Sequence, residues 1–258
     1  MAREIHIDSV DDVPRPIIAI GNDYPDNTAI KPHHHRRGQL ISSASGVIVL
    51  STAGGSWVMP PQRGMWIPPA TEHRVQMVGA VSVQSLYIEP DAIPGLPSHC
   101  QVVGVSPFMR GLITEALSLP LEYELEGRAG ALMQLIHYEM QQLPALPLSL
   151  RYPARGPLSA RCRQFVQKPN IHQTIGAWAD ALSMSRRSFT RLFRRETGMS
   201  FVAWRQQACL LCAMPRLVAG EAVTTVAIDL GYENPAAFTL MFRRAFGKAP
   251  LAYLGLRD

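Results

Sequence analysis

FTRLFRRETG, residues 189–198, and FTLMFRRAFG, residues 238–247, follow one frame, F-T-x-x-F-R-R-x-x-G, offset by 49 residues. A frame repeated this closely demands the same local structure twice. On a helix, Phe189, Leu192 and Phe193 share one face, as do Phe238, Met241 and Phe242. That face packs. Gly198 and Gly247 stand one step past the helix end, where a left-handed cap is wanted. Each copy follows a short helix and a tight turn, SMS (183–185) in the first and GYEN (231–234) in the second, where Gly231 supplies permissive backbone. Helix, turn and exposed second helix make a helix-turn-helix unit, and the chain carries two.

The outward faces differ. Opposite Phe189 lie Arg187, Arg191 and Arg194, with Thr190 flanking; opposite Phe238 lie Ala236, Leu240 and Arg243, with Thr239 flanking. Together with Ser185, Arg186 and Asn234 at the helix starts, these are the candidate DNA-binding residues. The first face suits guanine edges and phosphates, the second thymine methyls plus one arginine contact. The first unit is therefore expected to carry more of the base readout. A solvated helix face is the alternative reading. Between the copies, residues 200–220 read as a helix of about 20 residues, roughly 30 Å long and close to the ~34 Å between successive major-groove faces. Pro215 is expected to bend it or to restart it near Met214.

Charge supports a polyanionic partner. Residues 1–150 carry 9 Lys+Arg against 14 Asp+Glu, a net −5, and residues 151–258 carry 16 against 6, a net +10. In the second half Arg outnumbers Lys 14 to 2, as suits bidentate recognition of phosphate and guanine. The opposite signs also suggest two domains. Short apolar runs with Gly/Pro punctuation make residues 1–100 read as β, with strands at 47–50, 57–59, 65–67 and 81–88. From Ser106 the period becomes helical. In the helix at 128–143, Leu132, Leu135, Ile136 and Met140 fall on one stripe, which is either a dimer face or a packing face. The proline-rich stretch 144–157 reads as a linker. The expected domains are thus 1–143 (sensor), 144–157 (linker) and 158–258 (DNA binding). No apolar run is long enough to span a bilayer. The acidic start MAREIHIDSVDD does not read as a secretory signal, and four cysteines are too few for a disulfide scaffold. A cytoplasmic location is expected.

Residues 158–254 resemble the DNA-binding domain of the AraC/XylS family of bacterial transcription regulators. The likeness is densest in IDLGYENPAAFTLMFRRAFGKAPLAYL (228–254), with its Gly-Tyr, Phe, Phe-Arg-Arg, Gly and Pro-x-x-Tyr positions. Ala249 departs from the Ser often found before that Pro. The resemblance implies a seven-helix, all-α domain with two helix-turn-helix units that binds promoter DNA as an activator or repressor. It also implies an N-terminal, mainly-β, cupin-like barrel followed by helices. Asp180 and Glu196 are candidate RNA-polymerase contacts, with structural salt bridges as the alternative.

In the first half, His33-x-His35 with Gln39, then Pro68-x-Ala70-x-x-His73, are similar to the two metal motifs of the cupin barrel. Gln39 stands where that pattern has a carboxylate, and Ala70 where it has Gly. His33, His35, Gln39 and His73 are therefore candidate ligands for a divalent metal (Zn, Ni or Fe). A metal-free, hydrogen-bonded histidine pocket is the alternative. With Trp57 and Trp66, the three histidines are also candidates to line a small-molecule pocket. Arg36 and Arg37 are further candidates to meet a small anion or an acidic surface. No catalytic residues are evident. The alternative to an effector-responsive regulator is a cupin-type metalloenzyme with a DNA-binding appendage. A non-specific architectural DNA binder is the third reading.

Overall fold

The computed structural model describes residues 9–153 and 155–256. The acidic N-terminal stretch lies outside these as far as residue 8, as does position 154 of the proline-rich stretch. In chain order the elements are β1 (Ile17–Tyr24), β2 (Ala29–His33), β3 (Gly38–Ser43), β4 (Val47–Ser51), β5 (Gly55–Met59), β6 (Arg63–Ile67), β7 (His73–Val78), β8 (Val81–Ile88) and β9 (Gln101–Gly104). Then come α1 (Pro107–Ala116), α2 (Arg128–Gln141), β10 (Ala145–Leu146) and β11 (Ser149–Arg151). The helices α3 (Pro157–Gln167), α4 (Ile175–Ala181), α5 (Arg186–Thr197), α6 (Phe201–Val218), α7 (Val223–Asp229), α8 (Pro235–Phe246) and α9 (Pro250–Leu254) complete the chain. The proline-rich stretch thus carries two short strands. Packing divides the chain into two compact units, Met1–Thr52 with Met59–Ser149, and Ala53–Val58 with Leu150–Asp258.

The strands form a six-stranded sheet in the order β1-β8-β3-β6-β9-β10 and a five-stranded sheet in the order β11-β5-β4-β7-β2. Among the described residues no ring of pairings closes, so the expected barrel takes the form of two sheets. β3 lies between β6 and β8, with Gln39 opposite Ile67 on one side and Tyr87 on the other. All six residues of β3 are buried. A strand covered on both faces does not alternate apolar and polar residues, which is why GQLISS gave no strand signal. In this unit α1 and α2 cover one sheet. Met109, Leu112 and Ile113 of α1, and Met133, Ile136 and Met140 of α2, pack with Ile17, Leu40, Trp66 and Leu86. The stripe read on α2 therefore splits. Ile136 and Met140 are committed to the sheet, Leu132 is partly buried against it, and Leu135 stays 45% exposed.

The helical unit holds seven helices, α3–α9, among the described residues. Phe189 and Phe193 of α5 pack into an aromatic cluster with Trp178, Phe201 and Trp204. In the second copy, Phe238 and Phe242 of α8 meet each other, Tyr232 and Tyr253. All four phenylalanines are fully buried. At roughly 1.5–3 kcal/mol per buried large apolar side chain, the repeated frame supplies much of the stability of both units. The restart expected near Met214 does not occur, because α6 runs unbroken from Phe201 to Val218. Pro215 sits in its last turn. There it removes a single hydrogen bond, and Met214 and Leu217 on either side of it are buried.

Candidate nucleic-acid interface and histidine site

The two helix-turn-helix units are α4–α5 and α7–α8, joined by α6. Each first helix ends on a residue at positive φ, Ser183 (53°) and Gly231 (84°). In each, the next amide reaches back across the last turn, Met184 N–H to Ala179 O and Tyr232 N–H to Ala227 O. This is the Schellman arrangement. One residue separates Ser183 from the cap Ser185, and two separate Gly231 from the cap Asn234. The first turn is therefore one residue shorter. The Ser185 hydroxyl accepts from Ser188 N–H at 3.2 Å, and Asn234 Oδ1 accepts from Ala237 N–H at 2.8 Å. Both recognition helices end on a left-handed glycine, Gly198 and Gly247.

On α5, the side chains of Arg187, Arg191 and Arg194 are exposed and make no hydrogen bond or ion pair among the described residues. They form one stripe spanning about 10 Å of helix. At the matching positions of α8, Ala236, Leu240 and Arg243 are exposed, Leu240 by 50%. Arg186 begins α5 beside Gly176, where a side chain would come within 3.0 Å of its guanidinium. The Thr190 hydroxyl donates to Arg186 O at 2.8 Å, and Thr239 is half-buried. Glu196 pairs with Arg195 at 2.8 Å, while Asp180 is exposed.

The histidine site is built by pairing. His33 of β2 stands opposite His73 of β7, and His35 lies in the connection from β2 to β3. The ring centroids are 4.3 Å apart for His33–His73 and 5.2 Å for His35–His73. Each Nδ1 faces a backbone carbonyl, Lys31 O for His33, Arg37 O for His35 and Thr71 O for His73. A carbonyl only accepts, so each Nδ1 carries a proton, which in a neutral ring leaves the lone pair on Nε2. Burial lowers the pKa of His73 to about 4 and also lowers that of His35, with the nearby His33 adding to the effect. Both rings are therefore neutral near pH 7. His35 Nε2 lies 3.1 Å from Gln39 Oε1, while the Gln39 amide donates to Ser85 Oγ (2.9 Å) and Tyr87 Oη (3.0 Å). Two acceptors thus face each other, an arrangement stabilised by a bridging cation or relieved by turning the amide round.

The family of AraC-like ligand binding domains matches residues 16–115, and a helix-turn-helix domain family matches residues 178–255. The HTH-type transcriptional regulator NimR of Escherichia coli (strain K12) is 34% identical over 222 residues, covering 86% of this chain and 81% of that protein. The chain belongs to the AraC family of transcriptional regulators. The HTH-type transcriptional regulator YobQ of Bacillus subtilis (strain 168) is 23% identical over 225 residues, covering 86% of the regulator and 87% of YobQ. Among solved structures, fatty-acid-bound ToxT from Vibrio cholerae strain SCE256 covers 94% of the regulator and 97% of its own chain, at 9% identity and a TM-score of 0.40.

Not every candidate converges on the regulator's histidine site. Trp66 is buried in the core beneath α1 and α2, and its Nε1 donates to Pro97 O at 2.7 Å. It also lines an open groove of about 570 Å³ with Pro68, Ile93 and Leu96. Trp57 is buried in β5, and its Nε1 has no partner among the described residues. Arg36 and Arg37 are both engaged within the chain. Arg36 pairs with Glu89 and Asp11, and the fully buried Arg37 pairs with the same two carboxylates. Sequence reasoning missed Ser85 and Tyr87, which hold Gln39. Only the β3–β8 register brings them to it, across 46 and 48 residues of chain.

Proposed function

We propose that this regulator binds promoter DNA with its two recognition helices, about 186–197 and 235–246, in successive major-groove segments, and that its β-rich half responds to a small-molecule effector. The observation that carries the reading is the pair of matched exposed stripes, Arg187/Arg191/Arg194 and Ala236/Leu240/Arg243, on two complete helix-turn-helix units. Their connector α6 has 18 residues, about 27 Å, against a groove repeat of ~34 Å. The free arginines of α5 support guanine and phosphate contacts there, and Leu240 with Ala236 supports methyl contacts on α8. The first unit is the stronger reader. No helix among the described residues is long and apolar enough to cross a membrane, which supports a place in the cytoplasm with access to RNA polymerase.

We also infer that His33, His35, Gln39 and His73 hold a divalent metal (Zn, Ni or Fe). The residues fit such an ion. The three imidazoles offer nitrogens that all lie within 4.8 Å of one another, their Nδ1 protons are held by backbone carbonyls, and Gln39 Oε1 faces His35 Nε2. When bound, the metal supplies Lewis acidity for ligand capture, a sensing role rather than an enzymatic one. A second copy of the chain is the partner proposed for α2, whose stripe of Ala131, Leu135 and Tyr138 is exposed and uncharged.

Fluorescence anisotropy tests the DNA reading. Purified protein is titrated against the DNA upstream of its own gene and against a shuffled duplex of equal composition, at two salt concentrations. Selective binding to the upstream DNA with a moderate salt slope is expected. Equal affinity for both duplexes, in the presence and absence of metal, would sink it in favour of an architectural binder.

A further inference from the structure

The donor set of the histidine site carries no charge. An imidazole binds a metal ion through a ring lone pair and adds no negative charge, and the fourth donor is an amide oxygen. No Asp or Glu carboxylate among the described residues joins the group. The nearby carboxylates Asp11 and Glu89 are both tied to Arg36 and Arg37. Burial gives this neutrality a consequence. His35 and His73 are 4% and 2% exposed. A divalent ion held there brings a double positive charge into a poorly solvated place with no countercharge from the protein. Uncompensated buried charge costs several kcal/mol per ion, so an anion in the metal shell stabilises the loaded site. Four protein donors leave a five- or six-coordinate ion with one or two open positions. His33, the least buried of the three histidines, marks the side open to solvent.

We propose that the effector is an organic acid whose carboxylate completes the metal shell beside His33 and supplies the charge that Gln39 lacks. The proposal rests on the metal reading above. A carboxylate at position 39 would cancel one charge from within and reduce the ion's dependence on an outside anion. The amide shifts that task to the incoming molecule, so metal and acid bind together.

The test uses the full chain, freed of metal, with Co²⁺ as the probe followed by its visible absorption bands. Titrations are run in buffer alone, with acetate, and with the neutral isostere acetamide. Acetate is expected to raise the apparent Co²⁺ affinity about tenfold or more and to shift the bands, while acetamide does neither. In Gln39→Glu, Co²⁺ is expected to bind tightly without acetate, and the acetate effect to drop below about twofold. Identical wild-type titrations with and without acetate would overturn the organic-acid proposal and leave the metal reading standing. Absence of any protein-bound Co²⁺ bands, with or without acetate, would overturn both.

Discussion

Arg191 and Leu240 occupy the same position of the repeated frame and expose opposite chemistry there. A guanidinium can bond bidentately to guanine, whereas a Leu offers only contact with a thymine methyl. Arg191→Ala is therefore expected to lose about 1–3 kcal/mol of affinity and to relax base preference at one or two positions, read by anisotropy on a panel of single-substitution duplexes. Leu240→Ala is expected to lose less. Uniform weakening across the panel for Arg191→Ala would make it a phosphate contact instead. The cysteines behave in the opposite way, as inert filling. Cys100, Cys162, Cys209 and Cys212 are free, and burial pushes each thiol up to about 12. A raised pKa keeps the thiol protonated, so at pH 8 the thiolate population is about a thousandfold below that of an ordinary cysteine. Maleimide labelling of the native protein should be correspondingly slow and should become rapid for all four on unfolding.

The two turns show how much of an element can be read from its residues. Gly231 announces its positive φ, because glycine adopts it freely. Ser183 does not, yet it takes the same role at φ 53°. An L-residue in that region costs about 1 kcal/mol or more, here offset by the packing of α4 against α5. Ser183→Gly should raise unfolding stability by about 1 kcal/mol in chemical denaturation while leaving DNA affinity unchanged. On α2, periodicity identified an apolar stripe but not its destination. The sheet takes Met133, Ile136 and Met140, and what remains outward is Ala131, Leu135 and Tyr138. If α2 joins two copies, Leu135→Glu should shift the protein from dimer to monomer in sedimentation, with the helix itself intact. A wild-type protein that sediments as a monomer at all concentrations would exclude that role.

The chain divides its work by charge. The half that senses carries −5 and the half that binds DNA carries +10, so salt should act chiefly on DNA binding. His73→Ala removes one donor from the histidine site without touching α5 or α8. It should abolish the effector's influence on promoter binding while leaving effector-free affinity within about twofold of wild type, each twofold being only ~0.4 kcal/mol. Loss of the folded state in that variant would show a purely structural histidine. The helical half was legible from the residues alone, down to caps and end glycines. Its determinants are local, and a helix face, a cap and a left-handed glycine each lie within one turn of the residues that specify them. The charge split and the histidine spacings were equally open to reading. The tertiary structure decided the rest, since it depended on partners distant in sequence. Pairing of β3 with β8 placed Tyr87 and Ser85 on Gln39, and pairing of β2 with β7 set His33 against His73. Burial turned Arg37 inward to Asp11 and Glu89, while Arg36 meets the same carboxylates from the exposed side, and packing carried α6 through Pro215. Register and burial follow from which strands and helices meet, and no short window of sequence contains that information.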